Sequence, residues 1–314
     1  MGQTKTAVVV GTCFMDIKGY ASGKYLPLGR NAGSVLTVHG GVARNVAEDI
    51  ANAGGGYVRL VTYVDDTPTG AQVVDHLKEK GVDTRFVFPK KDGMGIWLAL
   101  FSSSGDLVGS ISKRSEMGDM ADMIDDSWIK MFMDAESIVV EVDLPRPVLE
   151  RVIYYAKEKL EKRIIGVVSN MTIALEKNAP LLRDLDILIC NEGEASMLIG
   201  SEFADCTPPD VQERLMRHFY DQGDTMPETL IVTLGAAGAV YVSRYYGDSG
   251  FCPAENVSNI VDTAGAGDAF CAGVALAMSK YGDLDSALKI GTHMAAETIK
   301  TSKNTCPVMT LGSL

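Results

Sequence analysis

The sequence predicts an α/β fold, a doubly wound, mostly parallel sheet with helices on both faces and a small β-sheet lid. Three observations predict it. From Ser137 onward short apolar runs alternate with helical stretches: strand 137–142, helix 146–161, strand 163–168, a helix near 178–183, strand 185–190, helix 208–222 and strand 229–233. Alternation at this spacing builds parallel sheets from strand–helix–strand units. A second signal is the small-residue turn at 264–267, which leads into a helix beginning at Asp268. The third is a pair of excursions, 17–38 and 94–112, that read as hairpins standing off the sheet. No repeat, low-complexity tract or long linker interrupts the 314 residues, so 1–314 reads as one domain carrying those two lid segments.

Taken in order, residues 7–15 read as a buried first strand ending at Asp16, a carboxylate at the sheet edge where open α/β sheets bind ligands. Gly40 and Gly41 then open a helix whose Val42, Val46 and Ile50 form one apolar stripe, ended by the glycines at 54–56. Arg44 and Asn45 lie off that stripe and are free to point elsewhere. Asn45 carries a donor and an acceptor in one group, which suits vicinal hydroxyls, and Gly41 would let a sugar lie against bare backbone. A second strand at 57–64 precedes a helix at 69–80 ended by Gly81. Residues 94–101 and 107–112 alternate about a Ser–Gly turn, and a further strand at 238–243 follows Thr233-Leu234-Gly235.

Composition narrows the function. With 46% hydrophobic and 22% charged residues the chain has the makeup of a soluble protein with a sizeable core, and no apolar run reaches membrane-spanning length. The net charge of −12 argues against nucleic acid or an anionic membrane as partner. No signal peptide is recognisable, and none of the six cysteines forms a C-x-x-C pair, so reduced thiols in a cytoplasmic protein are expected. The four histidines show no metal-ligand spacing. A Walker loop is absent, and the G-x-G runs lack the rest of a dinucleotide fingerprint, which weakens an NAD-linked oxidoreductase.

The chemistry concentrates in the stretch from Val261 to Phe270. Phe270, Val274, Ala277 and Met278 mark one buried helical face, and the first helical turn leaves N–H groups unpaired, a ready anion site. Asp268 at that spot is either the helix N-cap or the acceptor of a proton from a hydroxyl that attacks a phosphate held alongside.

Asp262-Thr263-Ala264-Gly265-Ala266-Gly267-Asp268 resembles the C-terminal signature of ribokinase-like (PfkB-type) carbohydrate and nucleoside kinases. Gly40-Gly41-Val42-Ala43-Arg44-Asn45 resembles their N-terminal signature. Asn191-Glu192-Gly193-Glu194 matches the N-x-x-E element, and Thr233 to Gly238 matches the T-x-G-x-x-G turn. Four motifs in family order span nearly the whole chain. The resemblance implies an ATP-dependent kinase acting on a primary hydroxyl of a sugar or ribonucleoside. Asp268 would be the base, with Gly265, Ala266 and Gly267 in the anion hole together with Ala264. Asp16, Gly40, Gly41, Asn45 and Asp143 would face the acceptor. Thr233, Gly235 and Gly238 would shape the nucleotide site, and Asn191 and Glu194 would organise Mg²⁺ through water. Members of the family often use K⁺, which the resemblance allows beside Asp262. The helix terminus should favour ionised Asp268, giving it an advantage of position rather than of a raised pKa.

The Gly-Gly-Val-x-Arg-Asn pattern is nearer to pseudouridine kinase-like members than to ribokinase, which usually has Lys at the place of Val42. Asp65 stands where the family usually has Gly, so that loop's contacts are open. The rival from another class is a sugar- or nucleoside-binding protein without catalysis, against which Asp268, Asn191 and Glu194 speak together. Ile96, Trp97, Leu98, Leu100 and Phe101 on the second lid hairpin are expected either to join two copies as a homodimer or to fold onto the substrate pocket.

Overall fold

A computed structural model describes residues 6–310 except 55, 204 and 245–247. The first strand, β1 (Thr6–Val10), is shorter than the sequence suggests. Thr12 ends it, because its N–H and hydroxyl both turn to the buried carboxylate of Glu141, at 2.8 and 2.9 Å. The chain then enters β2 (Phe14–Ala21), which belongs to a different sheet. Asp16 is therefore the third residue of that strand and not a loop residue past the first.

The remaining elements follow in order. β3 (Gly33–Gly40) pairs with β2, α1 (Val42–Asn52) follows, then β4 (Tyr57–Asp65), α2 (Pro68–Glu79) and β5 (Asp83–Lys90). β6 (Gly95–Phe101) and β7 (Leu107–Lys113) make the second hairpin. Next come α3 (Met120–Phe132), β8 (Ala135–Glu141) and α4 (Arg146–Ile153), the last continuing as a π-helical turn over Tyr154–Lys159. β9 (Arg163–Val167) leads to α5 (Met171–Asn178), whose start is fixed by the Asn170 side chain accepting from the Ile173 N–H at 3.1 Å. β10 (Ile187–Asn191), α6 (Glu192–Ile199), α7 (Pro208–Gln222), β11 (Thr229–Thr233), β12 (Ala239–Ser243), β13 (Ser249–Cys252), α8 (Ala266–Lys280) and α9 (Leu284–Thr298) complete the chain.

The large sheet runs β13-β12-β11-β10-β9-β8-β1-β4-β5, parallel from β11 to β5 with an antiparallel ribbon of β12 and β13 at one edge. Its order reverses between β1 and β8, and ligands of such sheets bind in the crevice outside the strands' C-terminal ends at that point. Apolar side chains of α1, α2, α8 and α9 pack on one face; those of α3, α4, α5 and α7 pack on the other. α8 is buried at every position from Ala269 to Met278, because it lies under both α1 and α9 as well as on the sheet. The single-faced helix expected from Phe270, Val274, Ala277 and Met278 is thus buried nearly all round. A separate four-stranded sheet, β3-β2-β6-β7, is built from the two excursions, with the first beginning at Phe14.

Candidate active site

Asp268 stands in the first turn of α8, two residues beyond the helix start at Ala266. It is not the N-cap. Gly265 fills that position with φ 81°, and a Cβ there would fall 2.0 Å from the Asn304 carbonyl oxygen. The Asp268 carboxylate instead accepts from Asn45 Nδ2 at 2.6 Å. Burial pushes Asp268 up to about 7, while the Asn45 hydrogen bond and the Arg44 guanidinium pull the other way and the Asp16 and Glu194 carboxylates add to the rise. The expectation of an ordinary, fully ionised carboxylate is corrected by this. A helix terminus is worth about 1 pH unit, whereas burial can shift a carboxyl by about 3–5. A carboxylate poised near neutrality can take a proton and release it.

Of the N–H groups at 264–267, that of Ala264 is already spent on Asp262 Oδ1 at 2.9 Å, and that of Ala266 reaches Thr263 O at 3.3 Å. Among the described residues, those of Gly265, Gly267 and Asp268 have no protein acceptor. Gly267 opens onto free space. The N–H groups left unpaired at this terminus are thus those of Gly265, Gly267 and Asp268, while those of Ala264 and Ala266 are engaged within the loop.

Asp16 is buried beneath the small sheet, where desolvation raises its pKa against Lys18, Arg44 and the hydrogen bond from Asn304 Nδ2 at 2.9 Å. Gly40 and Gly41 make room for this arrangement. A Cβ on Gly40 would lie 2.3 Å from the Asp16 carboxylate, and Gly41, at φ 95°, packs on Thr12 and Cys13. Arg44 is not free either; its guanidinium pairs with Glu48 at 2.6 Å and donates to the His39 carbonyl. Asn45 Nδ2 is committed to Asp268, which leaves Asn45 Oδ1 buried and unpartnered. Asp143 lies fully buried at the end of β8, ion-paired with Arg114 at 2.5 Å and accepting from the Ser169 N–H. Asp65 accepts from the Met94 N–H at 2.9 Å and ties β4 to β6.

Parallel pairing of β2 with β6 sets Asp16 beside Trp97, Lys18 beside Ala99 and Tyr20 beside Phe101. Side chains at those positions share the inner face. Tyr20 stacks on Phe101 at 4.9 Å and Trp97 meets Phe101 edge-on at 6.4 Å. Leu98 alone of the five apolar residues named above is exposed, on the outer face with Ile17 and Ile111.

A cavity of about 610 Å³ meets the start of α8, lined by Thr233, Gly235 and Gly238 together with Thr263, Ala266 and Gly267. Sequence reasoning missed most of its wall: Asn256, Val257 and Ile260, and Thr292, Ala295, Ala296 and Ile299 from α9 and the residue after it. The i, i+3, i+4, i+7 spacing of the last four was the available signal. Asn191 and Glu194 cap α6, each side chain accepting from the other's backbone N–H, at 2.9 and 2.8 Å. Desolvation pushes Glu194 up to about 7, helped by Asp143 and opposed by the cap hydrogen bonds.

A carboxyl group raised to near neutrality beside the unpaired N–H groups of a helix start, in the crevice of a doubly wound sheet, suits phosphoryl transfer to an alcohol. The family model described as pfkB family carbohydrate kinase matches residues 4–310, and the chain belongs to that family. It is 33% identical over 297 residues to the guanosine-inosine kinase of Exiguobacterium acetylicum, covering 94% of this chain and 95% of that one. It is 28% identical to the ribokinase of Haemophilus influenzae over 83% of this chain and 81% of the other. The fold matches Arabidopsis thaliana ribokinase, solved with ribose and ATP, with a TM-score of 0.79 at 20% identity over 97% of this chain and 96% of that one. The protein is a sugar or nucleoside kinase, and kinases of its family use ATP.

Proposed function

We propose that the acceptor is a ribonucleoside with a purine base, phosphorylated on its 5′-hydroxyl. The observation that carries this is the aromatic group Tyr20, Phe101 and Trp97 on the inner face of the small sheet, in register with Asp16. A nucleobase offers a flat π face for such rings to stack on, which a free pentose lacks. The similarity to a guanosine-inosine kinase supports the same reading. Asp16 would hold ribose hydroxyls, and the unpartnered Asn45 Oδ1 would accept from another.

In the reaction, the 5′-oxygen attacks the γ-phosphorus of ATP as the bond to ADP breaks, and Asp268 takes the hydroxyl proton. The N–H groups of Gly265 and Gly267 hold the transferring phosphoryl group in a fixed, partly dry site. ATP would lie in the cavity along Thr233, Gly235, Gly238 and α9. The donor set fits Mg²⁺: Glu194 is a carboxylate whose charge is costly beside Asp143 and Asp268 until a cation arrives. Glu194 and Asn191 would hold the ion through water, and bound Mg²⁺ would neutralise phosphate charge. The small sheet acts as a lid that excludes water. Val35 and Ile111, each 70% exposed, and Leu98 form an apolar outer face through which two copies would pair. No described helix is long and apolar enough to cross a membrane. The use of ATP and six unpaired thiols suit the cytoplasm.

A panel of guanosine, inosine, adenosine, pseudouridine and ribose, each with MgATP, tests the acceptor. Guanosine or inosine should show the highest kcat/KM, and 2′-deoxyguanosine should fall well below guanosine, because a polar site left unpaired discriminates strongly. Ribose or pseudouridine ahead of every purine nucleoside would contradict the reading.

A further inference from the structure

Asp262, the residue beside which the family resemblance allows K⁺, already faces a cation. Lys18 on β2 extends its ammonium group to Asp262 Oδ2 at 3.3 Å and to Asn304 Oδ1 at 2.9 Å, with only 3% of its side chain exposed. The other carboxylate oxygen, Oδ1, accepts from the Ala264 N–H. Both oxygens are thus engaged. A K⁺ ion drawn to Oδ2 would sit against a buried ammonium, and two like charges at that range repel strongly in a poorly solvated site. The residues present therefore do not suit a K⁺ ion at this carboxylate.

Lys18 also joins the two halves of the reaction centre. Asp262 holds the loop whose N–H groups face the phosphoryl site, and Asn304, bonded to Lys18 through Oδ1, donates through Nδ2 to Asp16. The same Asn304 backbone packs against Gly265 at the head of α8. One ammonium group, carried on the small sheet, is the middle link of this chain of bonds, touching Asp262 on one side and Asn304 on the other.

We propose that Lys18 is a tethered monovalent cation: its ammonium group neutralises Asp262 and fixes the anion-binding loop, so that the enzyme needs no K⁺. Lys18 is a positioning residue acting through Asp262 and Asn304. The proposal rests on the kinase reading but not on the identity of the acceptor.

The test compares KCl with choline chloride at equal ionic strength. One measurement is the thermal midpoint of the wild-type protein with a non-hydrolysable ATP analogue, which needs no acceptor. The other is kcat with whichever acceptor the panel above identifies. Wild-type values should agree in the two salts. Lys18→Met should lose about 10²-fold in kcat in choline, as expected when a positioning group is lost, and recover part of it with K⁺ or NH₄⁺. A saturable rise of wild-type kcat with K⁺, or a midpoint raised by K⁺ and not by choline, would overturn the proposal even if Lys18→Met fails to fold. A folded Lys18→Met enzyme equally impaired in both salts would overturn it too, leaving Lys18 as a structural tether.

Discussion

Asn45 donates to Asp268 at 2.6 Å across 223 residues of sequence, joining the start of α1 to the start of α8. The bond stabilises the charged form of a carboxylate that burial would otherwise keep protonated. It also aims the carboxylate, since its partner rides on a helix whose own start is fixed by Glu141 accepting from the Ala43 N–H at 2.8 Å.

Removing that donor should move the enzyme's pH profile. A base must be deprotonated to act, so kcat/KM should fall as pH drops below about 7. In Asn45→Ala the acid limb should shift upward by about 1–2 pH units, the worth of a hydrogen bond to a charged group. Initial rates across pH, with ATP saturating, read this directly. An unmoved limb with unchanged rates would show that Asn45 does not tune Asp268.

Gly40→Ala should act on the acceptor alone. The added methyl would collide with the Asp16 carboxylate, at 2.3 Å, and push it from its place beside Asn304. The acceptor KM should rise by about 10-fold or more, the cost of disturbing a polar site, while the Kd for an ATP analogue stays within about twofold. Loss of nucleotide affinity of the same size would mean that the damage spreads beyond the acceptor side.

The sequence showed the phosphoryl-transfer end better than the acceptor end. Asp268 and its glycines are local in sequence, so their spacing alone reveals a helix terminus with a carboxylate. Gly40, Gly41 and Asn45 were recognisable as a motif, but their roles depend on Asp16, Thr12 and Asp268, which only the fold brings near. Lys18 and Asn304 left no trace, being single polar residues 286 positions apart. Asp143 was singled out because it follows a strand, but its ion pair with Arg114, 29 positions away, was not legible. β5 was missed because Pro89 breaks its alternation, and α9 because its cavity-facing side is made of small residues.

The ligand-free protein should lose stability as pH rises. Asp268 and Glu194 are pushed up to about 7 and Glu141 to about 8, and burial also raises Asp49. A carboxyl with a raised folded-state pKa keeps its proton in the native state while the unfolded chain releases it near pH 4. The contribution is complete below about pH 4 and is lost as pH climbs through about 7–8. The thermal midpoint should therefore be lower at about pH 8.5 than at about pH 6. The opposite order would show that these groups are ionised in the fold at no cost.

Pairing through the outer face of the small sheet predicts a mass near twice 33.6 kDa by light scattering across a dilution series. Ile111→Lys should shift the protein toward monomer by setting like charges on a self-complementary face. A wild-type mass near 33.6 kDa at micromolar concentration would instead leave the lid as a monomer's flap.

The central claim is that Asp268 takes the acceptor's proton, and Asp268→Asn tests it most directly. The substitution keeps the size of the side chain and removes its basicity. Single-turnover phosphorylation, measured with enzyme in excess over ATP, should slow by about 10²–10⁴-fold, while ATP-analogue and acceptor affinities stay within a few-fold. A variant that retains more than half of the wild-type single-turnover rate, with binding intact, would contradict the account.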